Sequence, residues 1–319
     1  MKFCLVSLGV NPVPPQGWGA IEIIIWDYKY YLEKLGHQVK IVNVTDTKKI
    51  EREINDFSSD VCHCHFDGYW NILERCNAKI KIMTSHCGSI RGDMEDVADF
   101  RDNILPRLNS RVFYNFCLDP FIRDRYLSMG FNPARLFVVP NAARADLIRF
   151  TKVPRTHDTV CVGKIQTRKR QYLLGNLNVF FIGDFGEGIF NRANKRLIGM
   201  WDKEKLYADL TDNANLVLLS KSEAAPLVVL EAMMAGLGIV ISETCVANLD
   251  LSLPFIDVIP EKYISDPDYV AHVLERNKRV SLPIRSQIRK YAEEHHSYER
   301  TIEKYSQALQ SISESVSKP

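Results

Sequence analysis

Glu223 and Glu231 stand with seven residues between them in the run SKSEAAPLVVLEAMMAGLGIVI, residues 220–241. A run this apolar belongs in a core, and a carboxylate buried there without a partner is costly. Pro226 suits the first turn of a helix, where its missing amide proton loses nothing, and Gly236 or Gly238 can end that helix. With about 1.5 Å of rise per helical residue and a more extended lead, the two acids lie roughly 8–12 Å apart. That spread suits a nucleotide-sugar better than a single reacting atom. Carboxylates accept hydrogen bonds through two oxygens, so Glu223 can hold a sugar and Glu231 two ribose hydroxyls. Between them, the amides at the helix start can receive phosphate oxygens. The donor contacts predicted here are Glu223, Ala224, Ala225, Pro226, Leu227, Val228 and Glu231.

In the first half, Cys62-His63-Cys64-His65 has the composition of a metal site. A strand over Val61–Phe66 sends consecutive side chains to opposite faces, so the four cannot surround one zinc, and the spacing lacks the usual ligand gaps. No metal is expected. His65 and Asp67, at the strand's end, are instead candidates for contact with an acceptor. Trp18, in the loop GVNPVPPQGWG, can offer an apolar face to a sugar and a polar edge for hydrogen bonding.

These residues need a scaffold. A chain of 319 residues is long enough for two domains, and 46% apolar with 25% charged residues describes a globular protein. Lys and Arg number 41 against 39 acids, which argues against bulk electrostatic binding of nucleic acid. Eight dispersed cysteines read as reduced, buried residues of a cytoplasmic protein. The first residues fit a strand better than a signal peptide, and no apolar run reaches membrane-spanning length, so membrane contact would be peripheral.

The order strand Phe3–Leu8, Gly/Pro-rich loop, helix from Ala20 to about Gly36, strand Val39–Val44 opens an alternating pattern. It continues with strands at Val61–Phe66, Ile80–Thr84, Val112–Tyr114 and Leu136–Val139. Helical segments are predicted at Gly68–Cys76, Asp93–Ile104 and Pro120–Met129. After a polar connector at 145–157, strands resume at Thr159–Val162, Val179–Ile182, Leu216–Leu219 and Gly238–Ile241. Their helices are predicted at Trp201–Thr211, Pro226–Ala235 and Asp266–Arg276, and two more lie within Pro283–Ser311, with a break around His295–Tyr298. The fold class is α/β, with two doubly wound parallel-sheet domains, 1–150 and 151–319, and ligands expected at the carboxyl ends of the strands.

The ordered set PPQGWGAIE, LEKLGHQV, VVPNAARADLIRF, VGKIQTRKR, FIGDF and SKSEAAPLVVLEAMMAGLGIVIS resembles the retaining glycosyltransferases of family 4, and it spans most of the chain. The resemblance implies the GT-B fold, in which two Rossmann-like domains face a central cleft. The first domain mainly holds the acceptor and the second the nucleotide-sugar donor, and the last helix packs back on the first domain. It implies that Glu223 lies by the donor sugar and Glu231 holds the ribose. Gly17 and Gly19, with Trp18 between them where paired glycines are commoner, correspond to the loop that approaches the donor phosphates, where a small side chain is required.

Lys164, where the family often has Arg, and Lys169, its usual Lys, would offset charge growing on the leaving diphosphate. Arg168 and Arg170 are nearby substitutes. His86 in TSHCGS resembles the family histidine near the donor and acceptor sugars. Asn141 keeps a structural role, because Ala142 replaces the usual Gly.

On this reading the chain transfers a hexose-like sugar, with retention, from a nucleoside diphosphate sugar to a hydroxyl of a glycan or lipid-linked acceptor. Glu223, His86 and Lys169 are the catalytic candidates. Trp18, His65, Asp67 and His86 meet the acceptor. UDP-sugar is favoured as donor over GDP-sugar, with no cofactor. The family reacts on one face of the sugar, with the leaving phosphate assisting deprotonation of the acceptor. Two other classes stay open: a nucleotide-sugar 2-epimerase, which needs no separate acceptor, and a catalytically silent sugar- or nucleotide-binding protein.

Overall fold

The structure is a computed structural model that describes residues 1–17, 19–91 and 97–316. The chain forms two units. The first comprises Met1–Pro15 and Gly19–Asn141 together with the chain from Tyr298; the second comprises Ala142–Ser297 with residues 16 and 17.

In the first unit the chain runs β1 (Lys2–Val6), α1 (Ala20–Lys34), β2 (Gln38–Val42), α2 (Thr47–Phe57), β3 (Val61–Cys64) and α3 (Trp70–Arg75). It continues through β4 (Ile80–Met83), α4 (Leu105–Leu108), β5 (Tyr114–Cys117), α5 (Pro120–Ser128) and β6 (Leu136–Val138). The strands make one parallel sheet in the order β2-β1-β3-β4-β5-β6. Parallel strands need crossovers, and local signals begin and end the helices that supply them. Asp46 and Asp119 cap the amides of Lys49 and Ile122 at the starts of α2 and α5. Gly36, at φ +81°, follows α1 in the left-handed region.

The second unit contains β7 (Thr159–Val162), β8 (Val179–Ile182), β9 (Leu197–Gly199), α6 (Lys203–Asp209) and β10 (Asn215–Leu218). After these come α7 (Leu227–Met234), β11 (Gly238–Ser242), β12 (Ile256–Ile259), α8 (Pro267–Ser281) and α9 (Arg285–His296). Its sheet, ordered β12-β11-β10-β7-β8-β9, is again parallel. Counted from β7, this is the 3-2-1-4-5-6 order of a dinucleotide-binding fold, read from the opposite edge.

Alternate strand residues divide its core into two faces. Val160, Leu216, Leu218, Ile239 and Ile241 pack with Val229, Met233, Ile288 and Ala292 of α7 and α9. Cys161, Val217 and Val240 pack with Val270, Val273 and Leu274 of α8. The final helix, α10 (Tyr298–Val316), belongs to the first unit, where Tyr298 stacks on Tyr31 of α1 at 5.2 Å between ring centroids.

Several expectations are corrected. The chain passes between units at Asn141 and Ala142, before position 150, because the Ala143 amide donates to the His296 carbonyl at 2.9 Å and pairs that segment with the end of α9. The strand predicted at Val112–Tyr114 is β5, shifted forward so that Tyr114, Asn115, Phe116 and Cys117 are all buried. In the helix predicted over Asp93–Ile104, residues 93–96 lie outside the described residues; Phe100–Ile104 form a π-helical turn leading into α4. Pro226 is the N-cap of α7 rather than its first residue, held at ψ 115° in extended backbone.

Candidate functional site

In the second unit the strand order reverses between β10 and β7, so the loops after these two strands flank the crevice where such sheets bind ligands. The loop after β7 ends in a 3-10 turn, Thr167–Lys169, and the loop after β10 runs from Leu219 to the N-cap Pro226. Backbone and side chains stitch them together. The Lys221 amide donates to the Arg168 carbonyl at 2.8 Å, and the Arg168 guanidinium donates to the Ser222 carbonyl.

Lys169 Nζ lies 2.5 Å from Glu223 Oε1, and Arg168 Nη1 reaches the same oxygen at 3.3 Å. Burial raises the affinity of Glu223 for a proton, but Lys169 and Arg168 outweigh it and hold the carboxyl below its usual range. An ionised carboxylate of this kind accepts hydroxyl protons in hydrogen bonds and is a poor general acid. Beside it α7 begins with Leu227-Val228-Val229, and its N-cap proline offers no side-chain acceptor, so the first amides present an anion-favouring dipole.

Glu231, 3% exposed within α7, finds its partners on α6. Lys203 Nζ lies at 2.5 Å and the Tyr207 hydroxyl donates at 3.3 Å, both to Oε1. The sequence reading required a partner for this acid and did not find Lys203. The lysine carries no spacing signal, since it meets Glu231 only through the crossover that packs α6 beside α7.

Ala224, Pro226 and Leu227 are buried, while Ala225 and Val228 are half-buried, Val228 against the core. Lys164 lies along Gly186, where an added Cβ would meet its Cε at 2.6 Å, and its carbonyl accepts from Gln171 at 3.0 Å. Of the two arginines taken as substitutes, Arg168 reaches Glu223. Arg170, in the left-handed region, is instead held by both oxygens of Glu261 at 2.6 and 2.9 Å. Gly17 belongs to the second unit, and a Cβ there would stand 2.9 Å from Met200 Sδ. Gly19 precedes α1 at φ +140°, with Glu22 Oε2 at 2.9 Å from its Cβ position. Trp18 lies outside the described residues.

In the first unit, a second constellation forms at the carboxyl ends of β3 and β4. Strand alternation turns His63 and His65 to one face, their rings 4.0 Å apart, among Tyr28, Tyr305 and Phe116. His65 Nδ1 and His86 Nε2 are 3.2 Å apart and share one proton-donating bond. Ser85, which the sequence reading passed over beside His86, donates to Asp67 Oδ2 at 3.0 Å. Among the described residues, the buried His65 Nε2 and Asp67 Oδ1 have no hydrogen-bond partner. An unpaired buried acceptor and an unpaired ring nitrogen suit a hydroxyl-bearing ligand. No cluster of three or more His, Cys, Asp or Glu that could hold a metal ion occurs among the described residues. Nor, among them, is any helix long and apolar enough to cross a membrane.

Burial pushes His86 down to about 4 and His63 to about 3, and lowers His65 well below its ordinary value. These folded values lie below the ordinary 6.5, so the stability these rings contribute is present above pH 6.5 and is lost as pH falls through the folded values. Burial instead raises Asp67 to about 7 from 3.8, against the opposing Ser85 bond; its contribution is present below pH 3.8 and is lost as pH rises through about 7. Asp67→Asn should therefore make stability rise more steeply with pH between about 4 and about 7, because it removes the opposing contribution of Asp67, and His86→Gln should shallow that rise. Urea midpoints across that range test both; an unaltered profile in Asp67→Asn contradicts a protonated Asp67.

No family model matches this sequence, and no curated protein matches it. Solved structures do match. The sucrose-phosphate synthase of Thermosynechococcus elongatus superposes with a TM-score of 0.75 at 13% identity, covering 98% of this chain and 99% of that one. Anabaena HepE, solved in complex with UDP-glucose, gives 0.70 at 13% identity over 98% of this chain and 100% of that one. AviGT4, a glycosyltransferase involved in avilamycin A biosynthesis, gives 0.69 at 16% identity over 97% of each chain. At these identities the likeness is one of fold, and the fold is GT-B.

Proposed function

We propose that this chain is a retaining glycosyltransferase that moves a hexose-like sugar from a nucleoside diphosphate sugar to a hydroxyl of a glycan or lipid-linked acceptor. The observation that carries the reading is the junction of Lys169, Arg168 and Glu223 at the strand-order reversal of the second unit, with the open start of α7 and the buried Glu231 beyond it. On this reading the α7 amides, Lys169 and Arg168 bind the diphosphate and stabilise charge on it as it leaves. Glu223 accepts hydroxyls of the donor sugar and Glu231 those of the ribose. Lys164, Gly17 and Gly19 complete the donor contacts, and His86, His65, Asp67 and Trp18 receive the acceptor. Retention rests on the resemblance to family 4. The bound UDP-glucose of HepE supports a UDP-sugar ahead of a GDP-sugar.

Thermal shifts with UDP, GDP, ADP and CMP test the donor, because a ligand that binds only the native state raises apparent stability. UDP should give the largest shift, and no shift at millimolar nucleotide would contradict a preformed donor pocket. Glu231→Ala should weaken nucleotide binding about tenfold or more, whereas Glu223→Gln should lower turnover with nucleotide affinity nearly unchanged. Isomerised nucleotide-sugar formed from donor alone would favour the epimerase class.

A further inference from the structure

The environment of Glu231 is more specific than that of a lone ribose-binding carboxylate. Its Oε1 already receives Lys203 Nζ at 2.5 Å and the Tyr207 hydroxyl at 3.3 Å. Among the described residues no hydrogen bond falls on its Oε2. A ribose presents two neighbouring hydroxyls, each both donor and acceptor. With Oε1 already occupied by two donors, the usual pairing of one carboxylate oxygen with each hydroxyl is closed, and a different partner suits the second hydroxyl.

Lys203 is built to be that partner. Its ammonium has three donors, and the side chain keeps 22% of its surface exposed while that of Glu231 keeps 4%. The ammonium also stands over the Tyr207 ring at 5.0 Å from the centroid, and this cation–π contact keeps it beside Glu231. We infer that Lys203 is a specificity-determining residue that reads the nucleotide's cis-diol jointly with Glu231. Glu231 Oε2 accepts from one hydroxyl, and the ammonium donates to the other. This rests on the assignment of Glu231 to the ribose. A deoxyribose leaves one half of the pair without its partner in a desolvated site, and such sites reject analogues that lack the hydroxyl.

The test is calorimetric titration with UDP, 2′-deoxy-UDP and 3′-deoxy-UDP, and with the guanosine series in parallel. The unmodified protein should bind the ribonucleotide about tenfold to a hundredfold more tightly than at least one deoxy analogue. In Lys203→Met, affinity for the ribonucleotide should fall, and discrimination against one of the two analogues should shrink to about threefold or less, with Lys203→Arg restoring part of it. Should the single variant not fold, the double variant Lys203→Met/Glu231→Gln, which leaves no buried unpaired charge, carries the test by comparison with Glu231→Gln alone: it should lose the discrimination that Glu231→Gln retains, and equal discrimination in the two overturns the role of Lys203.

Discrimination that survives undiminished in a folded Lys203 variant overturns this role alone and reduces Lys203 to a counter-ion of Glu231. Equal binding of ribo- and deoxyribonucleotides by the unmodified protein, or no binding of any, overturns the ribose assignment and this inference with it.

Discussion

Lys169→Ala is expected to lower turnover about a hundredfold to a thousandfold, the effect of removing a preorganised charge from a site where charge develops. The side chain of Lys169 is only 15% exposed, and its ammonium is fixed at 2.5 Å from Glu223 before any substrate arrives. A cation held in that way needs no reorganisation when the sugar–phosphate bond breaks. Its loss would also leave Glu223 to Arg168 alone, at 3.3 Å. With its strongest cation gone, Glu223 would move back toward the usual carboxylate range and hold the donor sugar less firmly.

Lys169→Arg keeps the charge with a different geometry and should recover part of the rate. Initial rates beside nucleotide titrations separate the possibilities. A loss confined to nucleotide affinity would make Lys169 a ground-state binding group, and wild-type turnover in Lys169→Ala would remove it from the reaction.

Arg285→Met should destabilise the second unit by about 3–5 kcal/mol, the scale expected when several buried carbonyls lose their donor at about 1–3 kcal/mol each with partial relaxation. Arg285 is 1% exposed. Its Nη1 donates to the Asn213 carbonyl at 2.7 Å and its Nε to the Thr151 carbonyl at 3.2 Å. Its Nη2 donates to the Thr211 carbonyl at 2.6 Å and the Ala235 carbonyl at 3.1 Å. Methionine fills much of the volume but donates to none of these, leaving buried carbonyls without their donor. Ala235 is the C-cap of α7, so the same change loosens the helix that carries Glu231.

Arg289, donating to the Met234 carbonyl at 2.6 Å, would remain and limit the damage at that end. Urea unfolding followed by far-UV circular dichroism checks the prediction. The milder change Arg285→Lys puts a point charge in place of a planar fork and should restore less than half of the loss. A change under about 1 kcal/mol in Arg285→Met would mean that water reaches those carbonyls.

The elements that were legible in the chain are those whose residues carry their own instructions. β7 and β8 match their predicted bounds because a parallel strand buried on both faces must be a short, nearly unbroken apolar run. The turn between α9 and α10 falls within the predicted break at His295–Tyr298. By contrast, α2 escaped because it buries only Ile50 and Ile54 in an otherwise charged segment, and β9 escaped because it is a three-residue edge strand. Hydrophobic periodicity has little to register in either.

For the candidate site, residue types and local spacing singled out Glu223 and Glu231, since carboxylates within an apolar run stand out in one dimension, whereas Lys169 and His86 came from the resemblance to family 4. Partnership was decided in three dimensions. Lys169 and Glu223 are 54 positions apart, and Lys203 and Glu231 28 apart. Arg170, adjacent to Lys169 in the chain, is turned away to Glu261 by a left-handed backbone. A chain states which groups are costly to bury; the crossovers of a parallel sheet determine which opposite charge arrives to offset that cost, because they bring together loops and helices from strands far apart in sequence.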